Sequence, residues 1–231
     1  MQGGVMQNWS REKIEFARDA DLYCGYFKRL AALLSPYFPK DAHLCDAGCG
    51  IGGLSVAMAQ RSFFVTAVDR NSAVIEELVR TAPPNVRPVC VDIRTLDGVY
   101  DGMLFHYFGG TEQIVRLVRA HCRGTAIVIR RSCAEHRFSI GQTQSCHRTD
   151  DMPRVLRSIP HEKQTLSIEF GQPFRTMTEA MRFFTLYNNS TTPPEEKAVA
   201  ARLIATGRDD FPLYFPQLRT MNLYVFRSDA I

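Results

Sequence analysis

Short apolar stretches alternate with amphipathic ones over the first 130 residues of the chain. A helical repeat of apolar positions starts after Ser10 and runs to about Leu34, where Pro36 and Pro39 end it. Strands are predicted at 43–47, 63–68, 86–91, 100–105 and 126–130, and helices at 54–61, 71–80 and 111–121. Strands that alternate with helices are typical of a parallel sheet covered on both faces. The pattern therefore predicts a doubly wound α/β fold.

The remainder of the chain is less regular. Residues 132–164 are polar and longer than an ordinary connection, which predicts an insertion or a mobile lid after the fifth strand. Alternating stretches at 165–170 and 220–226 predict two more strands. Between them, Thr176 and Glu179 form a capping box that begins one helix, and Thr192–Glu195 begins another. We expect a single domain with an N-terminal helical lid (1–40), a core (41–131), the insertion (132–164) and C-terminal strands and helices (165–231).

Composition is consistent with an ordinary globular enzyme. The chain has 231 residues, of which 45% are hydrophobic, and no apolar stretch approaches the ~20 residues that cross a bilayer. The first residues lack the basic and apolar regions of a secretory leader, so we expect a cytoplasmic protein without a membrane partner. Seven cysteines without regular spacing argue against a disulfide framework, and Cys45 and Cys90 are expected in buried strands.

Positive charge is concentrated in one part of the sequence. The net charge is only +4, but residues 116–161 contain nine arginines against three acids. Such a segment could steer an anionic substrate or a polyanion. The ordinary alternative is a solvated surface with isolated ion pairs.

A glycine-rich turn lies between the first predicted strand and the helix that follows it. It reads Asp46-Ala47-Gly48-Cys49-Gly50-Ile51-Gly52-Gly53. Glycine permits positive φ angles and close approach of backbone amides to a ligand, so the turn indicates a nucleotide-like cofactor. Gly48, Gly50 and Gly53 also satisfy the dinucleotide pattern Gly-x-Gly-x-x-Gly, which is weak evidence alone. Asp69, after the second strand, would suit the ribose of either kind of cofactor.

Three features favour a cationic cofactor over a dinucleotide. Asp46 stands two residues before the first glycine, where it would repel a pyrophosphate but attract an ammonium or a sulfonium. Asp92 follows the third strand and could accept a hydrogen bond from an adenine amino group while Ile93 packs on the ring. About 40 residues precede the first strand, whereas the dinucleotide fingerprint often lies nearer the beginning of the chain.

These residues resemble the motifs of class I S-adenosylmethionine-dependent methyltransferases. Asp46–Gly52 is similar to their first motif, Val68-Asp69-Arg70-Asn71 to their second, Val91-Asp92-Ile93 to their third and Tyr100–Phe105 to their fourth strand. The resemblance covers about residues 40–131. It implies a mostly parallel seven-stranded sheet whose last strand is antiparallel, with S-adenosylmethionine as cofactor. The cofactor contacts expected from it and from the reasoning above are Asp46, Gly48, Cys49, Gly50, Gly52, Asp69, Arg70, Asp92, Ile93 and Phe105.

The segment after the fourth strand is expected to hold the methyl acceptor. His106 is the candidate general base and Tyr107 a candidate for orienting the acceptor, although a hydrogen-bonded loop histidine is the ordinary alternative for His106. Phe105 or Phe108 could wall the methyl group. The N-terminal helix, with Trp9, Tyr23 and Tyr26, is expected to close over the site. Ordinary helix packing is the alternative. The candidate substrate contacts are Tyr23, Tyr26 and Phe108.

No metal is expected. The acceptor is expected to be a small molecule, and an anionic one is among the options. The insertion contains Cys133, His136, Cys146 and His147, but their spacing matches no usual zinc pattern. The segment after the fourth strand also lacks the Asn/Asp-Pro-Pro-aromatic sequence of enzymes that methylate base amino groups, which disfavours nucleic acid. Alternatives left open are a non-catalytic cofactor-binding protein, a nicotinamide-dependent oxidoreductase, and a methyltransferase of protein or nucleic acid.

Overall fold

A computed structural model describes residues 9–132, 150–188 and 193–231. The helices are α1 Arg11–Cys24, α2 Tyr26–Leu34, α3 Gly53–Ala59, α4 Ser72–Thr81, α5 Thr111–His121, α6 Met152–Val155, α7 Met177–Asn188 and α8 Glu196–Ala200. The strands are β1 His43–Ala47, β2 Phe64–Asp69, β3 Val86–Cys90, β4 Tyr100–His106, β5 Cys122–Arg131, β6 His161–Glu169, β7 Gln172–Phe174, β8 Ile204–Ala205, β9 Leu213–Phe215 and β10 Leu218–Arg227. Short 3-10 turns lie at Ser35–Tyr37, Ile93–Thr95 and Ser228–Ala230.

Seven strands form the main sheet in the order β3-β2-β1-β4-β5-β10-β6. Strands β1 to β5 pair in parallel, and β10 runs antiparallel to both of its neighbours. Successive residues of a strand point to opposite faces, and both faces here are apolar: Leu104 lies in one core cluster and Met103 in the other. The predicted doubly wound sheet with an antiparallel last strand is confirmed.

The N-terminal segment forms two helices where the sequence predicted one. Ser10 caps α1 as expected, its hydroxyl accepting from the Lys13 N–H at 3.3 Å. The prediction of one helix to Leu34 is wrong, because Gly25 takes φ +60° and turns the chain between α1 and α2. Helix α2 buries Leu30 and Leu34 in the main core, whereas α1 packs Phe16 elsewhere.

Residues 170–188 and 193–217, between β6 and β10, pack with α1 around a separate apolar core. We call α1 together with 170–188 and 193–217 the cap. The strands β7, β9 and β8 make a small antiparallel sheet, which was not predicted because each has only two or three residues. Phe16 of α1 shares a core with the cap aromatics Phe174, Phe183, Phe184 and Phe215. Arg175 also binds Asp19 of α1 through two hydrogen bonds of 2.6 and 3.0 Å.

The cap leaves and rejoins the main sheet at the edge where β4 and β5 end. Glu169, the last residue of β6, pairs with Leu218, the first of β10, and Arg131 at the end of β5 pairs with Met221. Ligands of open α/β sheets bind at this carboxyl edge. The cap is therefore attached beside the expected site.

The predicted irregular insertion over 132–164 is wrong in its second half. Residues 133–149, which include the four candidate metal ligands, lie outside the described residues, as does Thr192. The described residues from Asp150 on are packed against the sheet. The Asp150 carboxylate accepts from the Tyr224 hydroxyl at 2.6 Å, Met152 and Leu156 are fully buried, and β6 begins already at His161.

The two cysteines predicted in buried strands differ in their exposure. Cys90 is exposed at the end of β3, so its predicted burial is wrong, whereas Cys45 is buried. Within the described ranges, no helix has the length and apolar character needed to cross a membrane.

Candidate active site

The glycine turn after β1 has backbone φ angles that residues other than glycine rarely adopt. Gly48, Gly50 and Gly52 have φ angles of +71°, +55° and +77°. These values lie in the left-handed region that favours glycine. The N–H groups of Gly48 and Cys49 both donate to the carbonyl of Val68, at 2.8 and 3.0 Å, and so attach the turn to the end of β2.

Aromatic rings stand directly over two of these glycines. The ring of Phe108 lies where a β-carbon on Gly48 would be placed, and Trp9 lies 3.2 Å from the β-carbon position of Gly50. Phe108, predicted as a substrate contact, therefore packs on the glycine turn. A larger residue at either glycine would collide with these rings or displace them.

Two carboxylates lie under the turn, and one of them has an oxygen without a hydrogen bond. Asp46 is buried; its Oδ2 accepts from the Ser55 hydroxyl at 2.6 Å, and its Oδ1 has no partner among the described residues. Asp69 accepts from the N–H groups of Gly50 and Asn71, both at 3.0 Å. Burial raises the pKa of Asp46 to about 6, and the charge of Asp69 adds to this effect.

No basic side chain of the described residues offsets this pair of acids. The ion pairs of residues 9–132, 150–188 and 193–231 include neither Asp46 nor Asp69. Buried carboxylates are normally paired with a cation or bound to a metal. In these same ranges no group of three or more His, Cys, Asp or Glu side chains is placed to hold a metal ion. The arrangement therefore favours a cationic ligand.

Asp92 and its neighbours stand at the ends of β2 and β3. The Asp92 carboxylate caps the 3-10 turn Ile93–Thr95 and binds the Arg94 guanidinium at 2.7 and 3.0 Å. The side-chain hydrogen bonds from Arg94 lower the pKa of Asp92 to about 2. Ile93 is buried and Arg70 is exposed. Contacts of these three residues with a cofactor stay predictions.

His106 and Tyr107 meet Tyr26 of α2 at the end of β4. The Tyr26 hydroxyl lies 3.0 Å from His106 Nε2 and 3.7 Å from the sulfur of Met221. The rings of His106 and Tyr107 are 4.4 Å apart between centroids, and Phe27 approaches His106 edge-on at 5.7 Å. Three of the predicted acceptor-site residues are thus brought together, and Tyr26 is fully buried.

Two other predicted residues lie apart from this cluster. Tyr23 belongs to the cap, where it stacks on Tyr214 with 4.6 Å between ring centroids and meets Phe211 edge-on. Phe105 is fully buried in the core on the other face of the sheet, because it alternates with His106 along β4. In this structure Phe105 presents no surface to a ligand.

The structure adds two residues that the sequence did not single out. Phe170 follows β6, and its ring centroid lies 4.6 Å from that of Tyr26. Arg219 of β10 places its guanidinium over the same rings. Neither residue carries a local motif, and both are more than 100 residues from the glycine turn, so no sequence signal could have located them here.

Comparison with solved structures identifies the fold. YcgJ from Bacillus subtilis superposes with a TM-score of 0.51 at 12% identity, over 88% of this chain and 98% of that one. BH2331 from Bacillus halodurans, described as a candidate methyltransferase, gives 0.50 at 13% identity, over 86% and 98%. The chain has the class I methyltransferase fold. It carries the glycine turn and the acids Asp46 and Asp69 at the edge where this fold binds its ligands.

Other comparisons add little. A TehB-like S-adenosylmethionine-dependent methyltransferase from Corynebacterium glutamicum is 20% identical with a TM-score of 0.38; the match covers 46% of this chain and 63% of that protein, less than two thirds of its length. No family model matches the sequence, and no curated protein is similar to it. The methyltransferase fold is thus established by three-dimensional likeness.

Proposed function

We propose that the chain is an S-adenosylmethionine-dependent methyltransferase that acts on a small molecule. The observation that carries the proposal is the pair of acids, Asp46 and Asp69, which lies under the glycine turn without a basic partner among the described residues. A pyrophosphate would add negative charge to this place. S-adenosylmethionine instead has an ammonium and a sulfonium group, which the acids would attract.

The residues present fit this cofactor. Asp46 Oδ1 is a buried acceptor without a donor, and the cofactor's ammonium would supply one. Each oxygen of Asp69 accepts one backbone N–H and has a further lone pair for a ribose hydroxyl. Asp92 and Ile93 would border the adenine. When bound, the cofactor supplies a methyl group activated by the sulfonium.

His106 would act on the methyl acceptor. The Tyr26 hydroxyl, 3.0 Å from Nε2, fixes the orientation of the imidazole, which would take a proton from the acceptor as it attacks. Tyr107 and Phe108 would border the acceptor. Tyr26 and Phe170 are buried and pack beside His106 and against each other, so apolar rings would wall this side of the acceptor site and keep water out. A walled site of this kind favours a small molecule over a macromolecule.

Ligand binding tests the cofactor. We expect S-adenosylmethionine and S-adenosylhomocysteine to raise the melting temperature, and NAD to leave it unchanged. Replacing Asp69 by Ala should weaken S-adenosylhomocysteine about tenfold or more by calorimetry, since charged hydrogen bonds contribute about 1.5–3 kcal/mol. The exposed Asp97→Ala is the matched control. Preferential binding of NAD or another pyrophosphate would overturn the proposal.

Turnover distinguishes an enzyme from a binding protein. The chain would be incubated with methyl-labelled S-adenosylmethionine and either the small-molecule or the macromolecular fraction of a cell extract. We expect label to enter the small-molecule fraction, with loss of that transfer in His106→Ala. The control His121→Ala should keep it, because His121 is a partly exposed histidine at the end of α5 that bonds to Gly98. Label in protein or RNA would contradict the small-molecule acceptor, and no transfer despite binding would indicate a non-catalytic protein.

A further inference from the structure

Arg219 occupies a box of aromatic rings beside the candidate acceptor site. Its guanidinium carbon lies 3.9 Å from the ring centroid of Phe170, 4.8 Å from that of Tyr26 and 5.6 Å from that of Tyr107. These rings come from three different parts of the chain. Cation–π contacts of this kind orient a guanidinium while its N–H edge is left for another partner.

The described residues provide no anion for Arg219. Across 9–132, 150–188 and 193–231, no carboxylate forms an ion pair with it, and no acceptor forms a hydrogen bond with its side chain. The side chain is partly buried, so water satisfies its five donors only in part. A partly desolvated guanidinium without an acid is suited to binding an anionic ligand.

A second guanidinium lies nearby. Arg131, at the end of β5, stands 5.8 Å from the ring centroid of Tyr107, the ring that Arg219 also contacts. Arg131 pairs with Met221, two residues from Arg219 on the same strand, so the three side chains share one face of the sheet. His106 lies on this face as well, since it pairs with Ile129, two residues before Arg131. Two positive charges thus stand close to the candidate base.

We propose that Arg219, assisted by Arg131, binds an oxyanion group of a planar acceptor molecule. This inference rests on the proposed function and adds the class of substrate: an aromatic or similarly flat organic acid. The partly exposed ring of Tyr107 would contact its flat body, while the buried rings of Tyr26 and Phe170 hold the guanidinium in place. The guanidinium would bind its carboxylate or phosphate through paired N–H groups. The same positive charge excludes ammonium compounds, although an aromatic box without Arg219 would attract them.

Calorimetry with four probes tests this inference on the full chain saturated with S-adenosylhomocysteine. The probes are benzoate, phenyl phosphate, benzamide and benzylamine. We expect benzoate or phenyl phosphate to bind at least tenfold more tightly than the neutral amide and the amine. Whichever of the two acids binds more tightly shows whether the site prefers a carboxylate or a phosphate. Binding of the amide or the amine as tightly as the acids would overturn the inference, as would failure of both acids to bind.

Variants assign the effect to Arg219. Arg219→Gln should weaken the preferred acid about tenfold to a hundredfold, as the loss of a charged hydrogen-bond donor predicts, and Arg219→Lys should weaken it less. Arg227→Gln, at the exposed opposite end of β10, is the matched control and should bind as the original chain does. Equal acid binding by Arg219→Gln and the original chain would overturn the role of Arg219. If Arg219→Gln does not fold, the Lys variant and the probe preference of the unaltered chain still decide.

Cofactor binding separates this inference from the proposed function. S-adenosylhomocysteine should bind the original chain, both Arg219 variants and the control with similar affinity. If it does not bind the original chain, the proposed function fails. If it binds but the acids do not, only the class of substrate is wrong.

Discussion

Asp46 is a buried carboxyl group without a cation, so its ionisation should make the stability of the ligand-free fold depend on pH. Its pKa in the folded chain is about 6, against 3.8 for an ordinary aspartate. The folded state therefore binds the proton more tightly than the unfolded state does. The stability that this proton contributes is present below about pH 4 and is lost as the pH rises through 6.

The size of the effect follows from the pKa difference. At 1.36 kcal/mol for each pKa unit, the full shift corresponds to about 3 kcal/mol, most of which is lost between pH 4 and 7. Asp46→Asn removes the ionisation. Relative to the original chain, the free energy of unfolding of the variant should thus rise by about 2–3 kcal/mol across that interval. Any constant cost of the buried amide cancels in this comparison.

Urea denaturation of both proteins between pH 4 and 7 measures this difference, with the exposed Asp97→Asn as the control that should show no such trend. A cationic cofactor needs Asp46 ionised, so S-adenosylmethionine should also bind about tenfold more tightly at pH 7 than at pH 5, and this pH dependence should vanish in Asp46→Asn. A stability difference that stays constant with pH would refute the reasoning about burial. If the affinity for S-adenosylmethionine does not change with pH, the proposed pairing of Asp46 with the ammonium group of the cofactor is refuted.

Three further predictions concern single positions. Their changes in stability are measured by urea denaturation, and for Tyr26→Phe kcat is measured by transfer of labelled methyl and cofactor affinity by calorimetry. Gly48→Ala should lower the free energy of unfolding by about 2–4 kcal/mol, because left-handed strain adds to a collision with Phe108. Gly110→Ala has negative φ and open space, so it should lose at most about 1 kcal/mol, from the N-cap of α5. Equal losses in the two variants would contradict the role of left-handed strain at Gly48. Gly25→Ala should lose about 1–2 kcal/mol from backbone strain alone, since no atom lies near its β-carbon position, and no loss would mean that α1 and α2 can join as one helix. Tyr26→Phe should lower the free energy of unfolding by about 1 kcal/mol and lower kcat without changing cofactor affinity, because the Tyr26 hydroxyl orients His106. An unchanged kcat would show that this hydroxyl does not position His106 for the reaction.

The glycine turn and the two acids beneath it could be predicted from the sequence because their determinants are local. Gly48, Gly50 and Gly52 have left-handed φ angles in the structure, a conformation that favours glycine, and glycine is the residue that the sequence has at each. Asp46 and Asp69 follow apolar strands, and parallel strands bring their ends to one edge of a sheet. A short stretch of residues around each strand end was therefore enough to predict that these acids meet.

The surroundings of His106 could be predicted only in part. His106, Tyr107 and Tyr26 were expected near one another, and they are. Tyr23 is on the same predicted helix as Tyr26, but the break at Gly25 places it in the cap. A change in one φ angle thus separated two residues that helical spacing alone had grouped together.

The sequence by itself determined the strands and most of the helices up to residue 131, the doubly wound class and the acids under the glycine turn, since backbone preferences and the alternation of apolar residues act over a few positions. Only the tertiary structure decided that β10 enters between β5 and β6, that α1 packs with the described residues between these two strands as one cap, and that Arg219 lies beside Tyr26 and Tyr107. These contacts join segments far apart in the chain. They arise from burying apolar faces against each other, and many pairs of faces would satisfy the same local pattern.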